Sequence, residues 1–301
     1  MNILTYIAIF LFLIVVYFLG AVIRMFFVHT EDDTYFAAFK NMVVGMFAIV
    51  GAVAVIRTQG NTVLWGFILV AILYLLLERP KIQIKTLSVK IYPVVIMGVI
   101  SIVFYIFQGV FFYEPPYNRV AHGDYYSYSE LINYMWNNHV ETSTFRTNYF
   151  QNPSLWTVGP FHYPELWLAS IFYGLFNFDI IESQVVISHV IIVSILVMGM
   201  IALVRSITKD KFMLAFGIVS VFLGGVVLVN VLPQAVDYVF FCGCSPKFAI
   251  LSILYVWATL LMLKHDNRFF YPLLLLPIAS ITLAPVIGIV LFWIVLYFQK
   301  R

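Results

Sequence analysis

Residues 3–27 read ILTYIAIFLFLIVVYFLGAVIRMFF, and this apolar run decides the fold class. The run opens without Lys or Arg and lacks a small-residue cleavage site, so it does not have the pattern of a secretory signal peptide. About 20 apolar residues in helical conformation are enough to cross the hydrocarbon core of a bilayer. The sequence therefore predicts a retained transmembrane helix from Ile3 to Phe27.

The composition of the whole chain agrees with a membrane location. Of the 301 residues, 63% are apolar and 10% are charged, and the mean hydropathy is +0.98. A soluble domain of this length could not keep so much apolar surface from water. These values exclude a cytosolic enzyme, a nucleic-acid binder and a disordered chain, and they predict an all-α, polytopic integral membrane protein.

The apolar segments predict about eight or nine transmembrane helices in all. After the first helix, further spans are predicted at 35–56, 62–78, 91–112, 183–205, 212–230 and 248–264. The final apolar stretch, 269–299, contains three prolines and is expected to form two short or broken helices.

Basic residues indicate how these spans are oriented. The connectors 79–90, 205–211 and 264–268 carry Lys and Arg and are expected on the cytoplasmic side. Residues 113–182 and 230–247 then lie outside. We divide the chain into an N-terminal three-helix segment, 1–90, and a larger membrane module, 91–301, which includes the outer loop 113–182. The net charge of +3 is spread over these connectors and does not indicate a nucleic-acid partner.

Residues 113–164 form the long polar segment of the chain, with thirteen aromatic side chains and no lysine. A loop of this length is usually functional. Apolar residues recur at helical spacing in 125–138, and Pro164 is a favourable start for a helix that continues to Phe176. Both helices are expected to lie at the membrane interface, because they are too short to span it.

The first candidate for chemistry is Asp124, in the sequence HGDYYSY of residues 122–128. Asp124 can serve simply as the N-cap of the helix that follows, or its carboxylate can act as a general base at the membrane surface. Gly123 would allow a ligand to approach closely, with His122 and Tyr125 as candidate contacts.

The second candidate is the sequence FHYPELW of residues 161–167. A helix N-terminus favours anions, so a phosphate group would suit this position. Candidate phosphate contacts are His162, Tyr163, Glu165 and the more distant Arg146. The alternative is that Glu165 only complements the helix dipole and that the aromatic residues anchor the interface.

The second outer loop contains Asp237 in the sequence PQAVDY of residues 233–238, followed by Lys247 at the start of the next helix. An acidic residue among apolar neighbours near a bilayer is a functional candidate. Cys242 and Cys244 are too close in sequence for an unstrained disulfide, and two thiols alone make a weak metal site, so both are expected to pack. The sequence contains no Gly-rich phosphate loop, HExxH, CxxC or G-x-S-x-G motif.

The arrangement over residues 91–268 resembles the membrane module of the GT-C glycosyltransferases, which use polyprenyl-phosphate-linked sugars. In that family a large outer loop has an acidic residue near its start and two interfacial helices, here Asp124 and the helices 125–138 and 164–176. HYPELW resembles the motif that opens the second of these helices. Three spans precede the module in this chain, and many family members lack them.

The resemblance implies a glycosyltransferase of the bacterial cytoplasmic membrane with its active face outside. Asp124 would be the base and Asp237 would position the acceptor or a metal, while His162, Glu165 and Arg146 would bind the donor phosphate. No cofactor is required, although the chemistry is compatible with a divalent cation. The expected partners are the lipid-linked sugar donor and membrane lipids.

Two other functions fit the same pattern. One is a non-enzymatic transporter or flippase, which would need polar residues along a path through the spans; Lys40 and His189 are candidates, although contacts within the fold also explain them. The other is a structural subunit of an envelope-assembly complex, in which the acidic residues of the outer loop could be replaced without consequence.

Overall fold

The computed structural model describes residues 3–27, 34–78, 91–113, 124–139, 164–217 and 246–274. These residues form helices joined by short turns and contain no strand. Three of the helices are long and apolar enough to cross a membrane: Ile3–Met25, Thr34–Gln59 and Glu182–Ile207. The all-α membrane class is thus supported by the described part of the chain, while the total of eight or nine spans stays a prediction.

The helices begin and end close to the positions that hydropathy predicts. They are α1 Ile3–Phe27, α2 Thr34–Gln59, α3 Asn61–Glu78, α4 Ile91–Tyr113, α5 Asp124–Asn138, α6 Pro164–Phe176, α7 His189–Ile207, α8 Pro246–Leu263 and α9 Phe270–Leu274. A π-helix, Glu182–Ser188, leads directly into α7. Of the predicted span 212–230, residues 212–217 are helical and the remainder lies outside the described residues.

Helices α1 and α2 form an antiparallel pair whose backbones meet at two glycines. A Cβ atom at Gly20 would overlap the backbone of Asn41, and a Cβ atom at Gly45 would overlap the Val16 carbonyl. In a bilayer, small residues at such positions let helices approach closely. Van der Waals packing then stabilises the helix pair, because the hydrophobic effect does not drive association within lipid. The two glycines therefore fix how near α1 and α2 can come.

The π-helix and α7 form the central element of the bundle. The most apolar part of Glu182–Ile207 is 94% buried, and it packs against α2, α4 and α8. Gly199 lies under the Phe39 ring, where an added Cβ would be 2.6 Å from Cε2. By contrast, α3 has its main contact among the described helices with α2 and exposes apolar residues such as Trp65 and Val70.

Contacts between helices define two ends of the bundle. At one, called here the α5 end, Thr5 meets Glu182 and Arg57 meets Trp136 of α5. At the other, called the basic end, Arg24 of α1 meets the start of α2, and Lys264, after α8, lies over the Phe36 ring. Helix α5, which is part of the predicted outer loop, and Lys264, the first residue of the predicted cytoplasmic connector 264–268, thus lie at opposite ends of the bundle.

Candidate functional site

Helix α5 begins at Asp124, as the capping pattern predicts, with Tyr125 as its second residue. The helix ends where His139 adopts a left-handed conformation with φ of 60°, which is a common way to terminate a helix. The helix that was predicted at 125–138 is therefore confirmed. The side chains of Asp124 and Tyr125 lie outside the described residues, so the structure does not choose between a cap and a base.

Two contacts hold α5 against α6. The Tyr173 hydroxyl donates to Asn133 Oδ1 at 2.7 Å. The Trp136 indole lies over Gly174, where it occupies the space that a Cβ atom would need. These contacts place α5 and α6 side by side. The packing requires a glycine at position 174, because a larger residue would push the Trp136 indole away.

Arg57, in the last turn of α2, joins α5 to the bundle. Its guanidinium lies 4.0 Å from the centroid of the Trp136 ring and donates to the Trp136 carbonyl. A cation over an indole face is the most favourable form of the cation–π interaction. The same arginine thus binds both the ring and the backbone of one residue, which fixes the C-terminal half of α5.

The other half of α5 contacts the π-helix. The Ser129 hydroxyl donates to Gln184 Oε1 at 2.8 Å, and both side chains are buried. The neighbouring Glu182 accepts a hydrogen bond from Thr5 at 2.7 Å. Five helices therefore contact the π-helix: α1, α4, α5, α6 and α7.

The π-helix itself is maintained by local hydrogen bonds. Asp179 Oδ1 accepts the backbone N–H groups of Ile181 and Glu182 at 2.9 and 3.0 Å, which caps the start of the helical segment. Ser188 Oγ donates to the Ser183 carbonyl five residues earlier at 2.8 Å. Short π-helical segments are often found at functional sites, because the wider turn changes which side chains face a neighbour.

Buried polar groups are concentrated along this segment and the first turns of α7. Ser183, Gln184, Ser188, His189 and Ser194 are each at most 2% exposed. Within the described chain, Ser183 Oγ and Gln184 Nε2 find no hydrogen-bond partner. A buried donor without an acceptor costs about 1–3 kcal/mol, so a water or a ligand oxygen is the natural complement to this pair.

Glu165 is the predicted site residue whose side chain the structure describes. It lies in the first turn of α6 and is 2% exposed. Residues 164–172 are all buried, so the first nine residues of α6 are enclosed by protein, whereas Leu175 and Phe176 at its C-terminal end are exposed. The predicted start of α6 at Pro164 is confirmed.

The remaining predicted positions are described in part or not at all. Lys247 is the second residue of α8, about 24 Å of helix before Leu263, and this places its backbone toward the α5 end. The other candidates lie outside the described residues: His122, Arg146, His162, Tyr163, Asp237, Cys242 and Cys244. Whether the acidic groups converge on one cavity therefore stays a prediction.

Sequence reasoning missed Ser129, Ser183 and Gln184, although polar residues at the start of an otherwise apolar span were visible in the sequence as ESQ at 182–184. Burial raises the pKa of the Tyr134 hydroxyl on α5 above its ordinary value of 10.0. Within the described ranges, no three His, Cys, Asp or Glu residues are grouped so that they could hold a metal ion.

Comparisons of the chain with protein-family models, with curated proteins and with solved structures find no match.

Proposed function

We propose that this chain is a polytopic membrane glycosyltransferase that transfers a sugar from a polyprenyl-phosphate-linked donor at the outer face of the membrane. One observation carries the proposal. Helix α5, which begins at Asp124, is held through Ser129 against the buried polar group of the π-helix. The five residues from Asp124 to Ser129 correspond to about 7.5 Å of helix, so the backbone of Asp124 lies close to that polar group.

The reaction assigns a role to five of the candidates. The acceptor hydroxyl oxygen attacks the anomeric carbon, its proton passes to the Asp124 carboxylate, and the bond to the polyprenyl phosphate breaks. The electron pair of that bond leaves with the phosphate, whose charge would be stabilised by His162, Arg146 and the N-terminus of α6. Asp237 would position the acceptor, with or without a divalent cation, and Lys247 would contact the substrate.

The arrangement of α5 and α6 supports this assignment in a second way. Both helices pack beside the start of the central helix rather than on the far side of the bundle. A donor with a long apolar tail needs a site that opens to both lipid and water. The α5 end, where short helices meet a predicted outer loop, offers that kind of surface.

The test compares Asp124→Asn with Asp124→Ala, and Glu130→Gln serves as the matched control. Glu130 is an exposed acidic residue on the same helix. Asn caps a helix about as well as Asp, so Asp124→Asn should fold normally but should lose about 10²–10⁴ in transfer rate if the carboxylate is the base. Glu130→Gln should keep full activity. Sugar transfer is measured from a lipid-linked donor in reconstituted membranes at matched protein amounts.

If Asp124→Asn transfers sugar at the wild-type rate while Asp124→Ala is merely less stable, Asp124 is a cap and the catalytic assignment fails.

A transporter or flippase is the second candidate, and the buried polar side chains of the central helix favour it. Gln184, His189 and Ser194 lie on a helix that the other helices surround. Polar groups inside a bundle often mark a substrate path. In proteoliposomes, movement of a lipid-linked sugar to the opposite leaflet without transfer to any acceptor would support this function and contradict the transferase.

A further inference from the structure

A cavity of about 210 Å³ opens at the basic end of the bundle, between α1, α2, α8 and the segment that follows α8. Its charged lining residues are Arg24, Lys40 and Arg268, and its aromatic ones are Trp257 and Tyr271. These residues come from α1, α2, α8 and the segment after α8, so the fold and not a local motif assembles the site. The cavity is at the opposite end from the π-helix and is independent of the proposed function.

The basic side chains are held in place by the bundle. Arg24 Nη1 donates to the Ala37 carbonyl at 2.9 Å and to Asn41 Oδ1 at 2.7 Å. Lys40 is 5% exposed, and its ammonium lies 4.5 Å from the centroid of the Phe36 ring. These contacts fix the direction of both charges, so an anion that enters the cavity meets groups that are already oriented.

A fourth positive charge lies nearby. The Lys264 ammonium is 4.4 Å from the centroid of the same Phe36 ring, so the ammonium groups of Lys40 and Lys264 are at most about 9 Å apart. That upper limit is close to the Debye length, which is about 8 Å at physiological salt. Two ammonium groups at this distance attract one anion jointly.

One carboxylate offsets part of this charge. Asp266 accepts hydrogen bonds from two nitrogens of the Arg268 guanidinium, from Nε at 2.9 Å and from Nη2 at 2.6 Å. A paired guanidinium still has N–H groups for a second acceptor. The acidic residues 31–33 lie outside the described residues.

We propose that this cavity binds the phosphate headgroup of an anionic phospholipid. Basic pockets between transmembrane helices on the cytoplasmic side commonly bind such headgroups. The volume is below the roughly 300–1,000 Å³ of pockets that enclose whole small molecules, so a headgroup fits and a nucleotide does not. Val44, Leu261 and Pro272 complete the wall with apolar surface, which suits the start of an acyl chain.

The indole of Trp257, which lines the cavity, also favours a ligand with hydrogen-bond acceptors. Its indole Nε1 is buried and, among the described residues, has no hydrogen-bond acceptor. Indole N–H groups that are buried normally find a partner. A phosphate or ester oxygen in the cavity would supply acceptors in this neighbourhood, whereas a hydrocarbon chain alone would not.

The experiment uses the full-length protein in detergent and measures retained lipid by native mass spectrometry and unfolding temperature by tryptophan fluorescence. Phosphatidylglycerol and phosphatidylcholine are added separately, and glycerol phosphate is added as the soluble source of the same chemistry. Phosphatidylglycerol should be retained and should raise the unfolding temperature, while phosphatidylcholine and glycerol phosphate should have little effect.

Variants then locate the site. A basic residue near the membrane surface contributes about fivefold to the binding of an anionic lipid. Lys40→Gln and Arg268→Gln should each lower the ratio of retained phosphatidylglycerol to phosphatidylcholine about fivefold, and Lys40→Arg should restore it. The matched control is Arg205→Gln, because Arg205 is at the same end but is not among the residues that line the cavity.

Three results would overturn the proposal. Equal retention of phosphatidylglycerol and phosphatidylcholine by the wild type would contradict it. This comparison needs no variant, so the proposal can be tested even if Lys40→Gln does not fold. An equal loss in Arg205→Gln would assign the preference to general surface charge. Full stabilisation by glycerol phosphate would assign the cavity to a soluble phosphate ester. None of these results bears on sugar transfer at the α5 end.

Discussion

Replacement of Gly45 by Ala should separate α1 from α2. An added Cβ atom would overlap the Val16 carbonyl oxygen and would lie 2.8 Å from its carbon and 3.0 Å from the Gly20 nitrogen. Heavy atoms in contact normally sit about 3.5–4.0 Å apart, so the helices would have to move by about 0.7 Å or more. A gap of that size forfeits a quarter to a half of the dispersion energy of the contacts across it.

A control substitution in the same helix separates the steric effect of the added Cβ atom from the change in helix propensity. At Gly51 an added Cβ would meet nothing within 4 Å. Both substitutions gain the same intrinsic helix propensity, about 1 kcal/mol, so the difference between them reports the steric term alone. We expect Gly51→Ala to be neutral or stabilising and Gly45→Ala to lose about 1–3 kcal/mol.

The assay is thermal unfolding in detergent, followed by tryptophan fluorescence. At about 2–4 °C per kcal/mol, Gly45→Ala should unfold several degrees below Gly51→Ala. The same approach applies to Gly20→Ala, and the double variant Gly20→Ala/Gly45→Ala should cost less than the sum of its parts, because the helices need to separate once. Equal unfolding temperatures for Gly45→Ala and Gly51→Ala would refute the close approach of α1 and α2.

Two further predictions concern the two ends of the bundle. The hydrogen bonds from Arg268 hold the pKa of Asp266 below its ordinary value of 3.8, so the pair contributes stability that is complete above that pH and is lost as the pH falls through the pKa of the folded state. The wild type should therefore lose more unfolding temperature between pH 5 and pH 3 than Asp266→Asn does, and parallel curves would contradict the pairing. At the α5 end, Gly174→Ala should displace the Trp136 indole, lower the unfolding temperature and shift the tryptophan emission, whereas an unchanged spectrum would show that the ring does not cover Gly174.

The sequence by itself determined where the long helices lie. The apolar segments predicted at 91–112 and 62–78 are helical, as α4, Ile91–Tyr113, and α3, Asn61–Glu78. The reason is local, because about 20 consecutive apolar residues in a bilayer must form a helix to satisfy their own backbone groups. Asp124 and Pro164 likewise open α5 and α6, since helix starts depend on a few adjacent residues.

Short-range patterns gave less information about how the helices meet. The short length of α6 predicted a helix at the membrane interface, yet residues 164–172 are buried because other helices enclose them. The same reasoning left Lys40 as a polar contact within a span, without a reason to connect it with Arg268, which is far away in the sequence. In both cases the deciding neighbours come from other helices.

Only the tertiary structure brought Gln184 to Ser129 and Gly45 to Val16. Hydropathy is nearly the same on all sides of a membrane helix, and lipid is as apolar as leucine, so the sequence contains no strong signal for which face meets a neighbour. Helix association depends instead on close backbone approach and on single hydrogen bonds, and both depend on residues that are distant in the chain. The helices were therefore set by local hydropathy, whereas the polar group at the π-helix and the cavity at the basic end were set by how those helices pack.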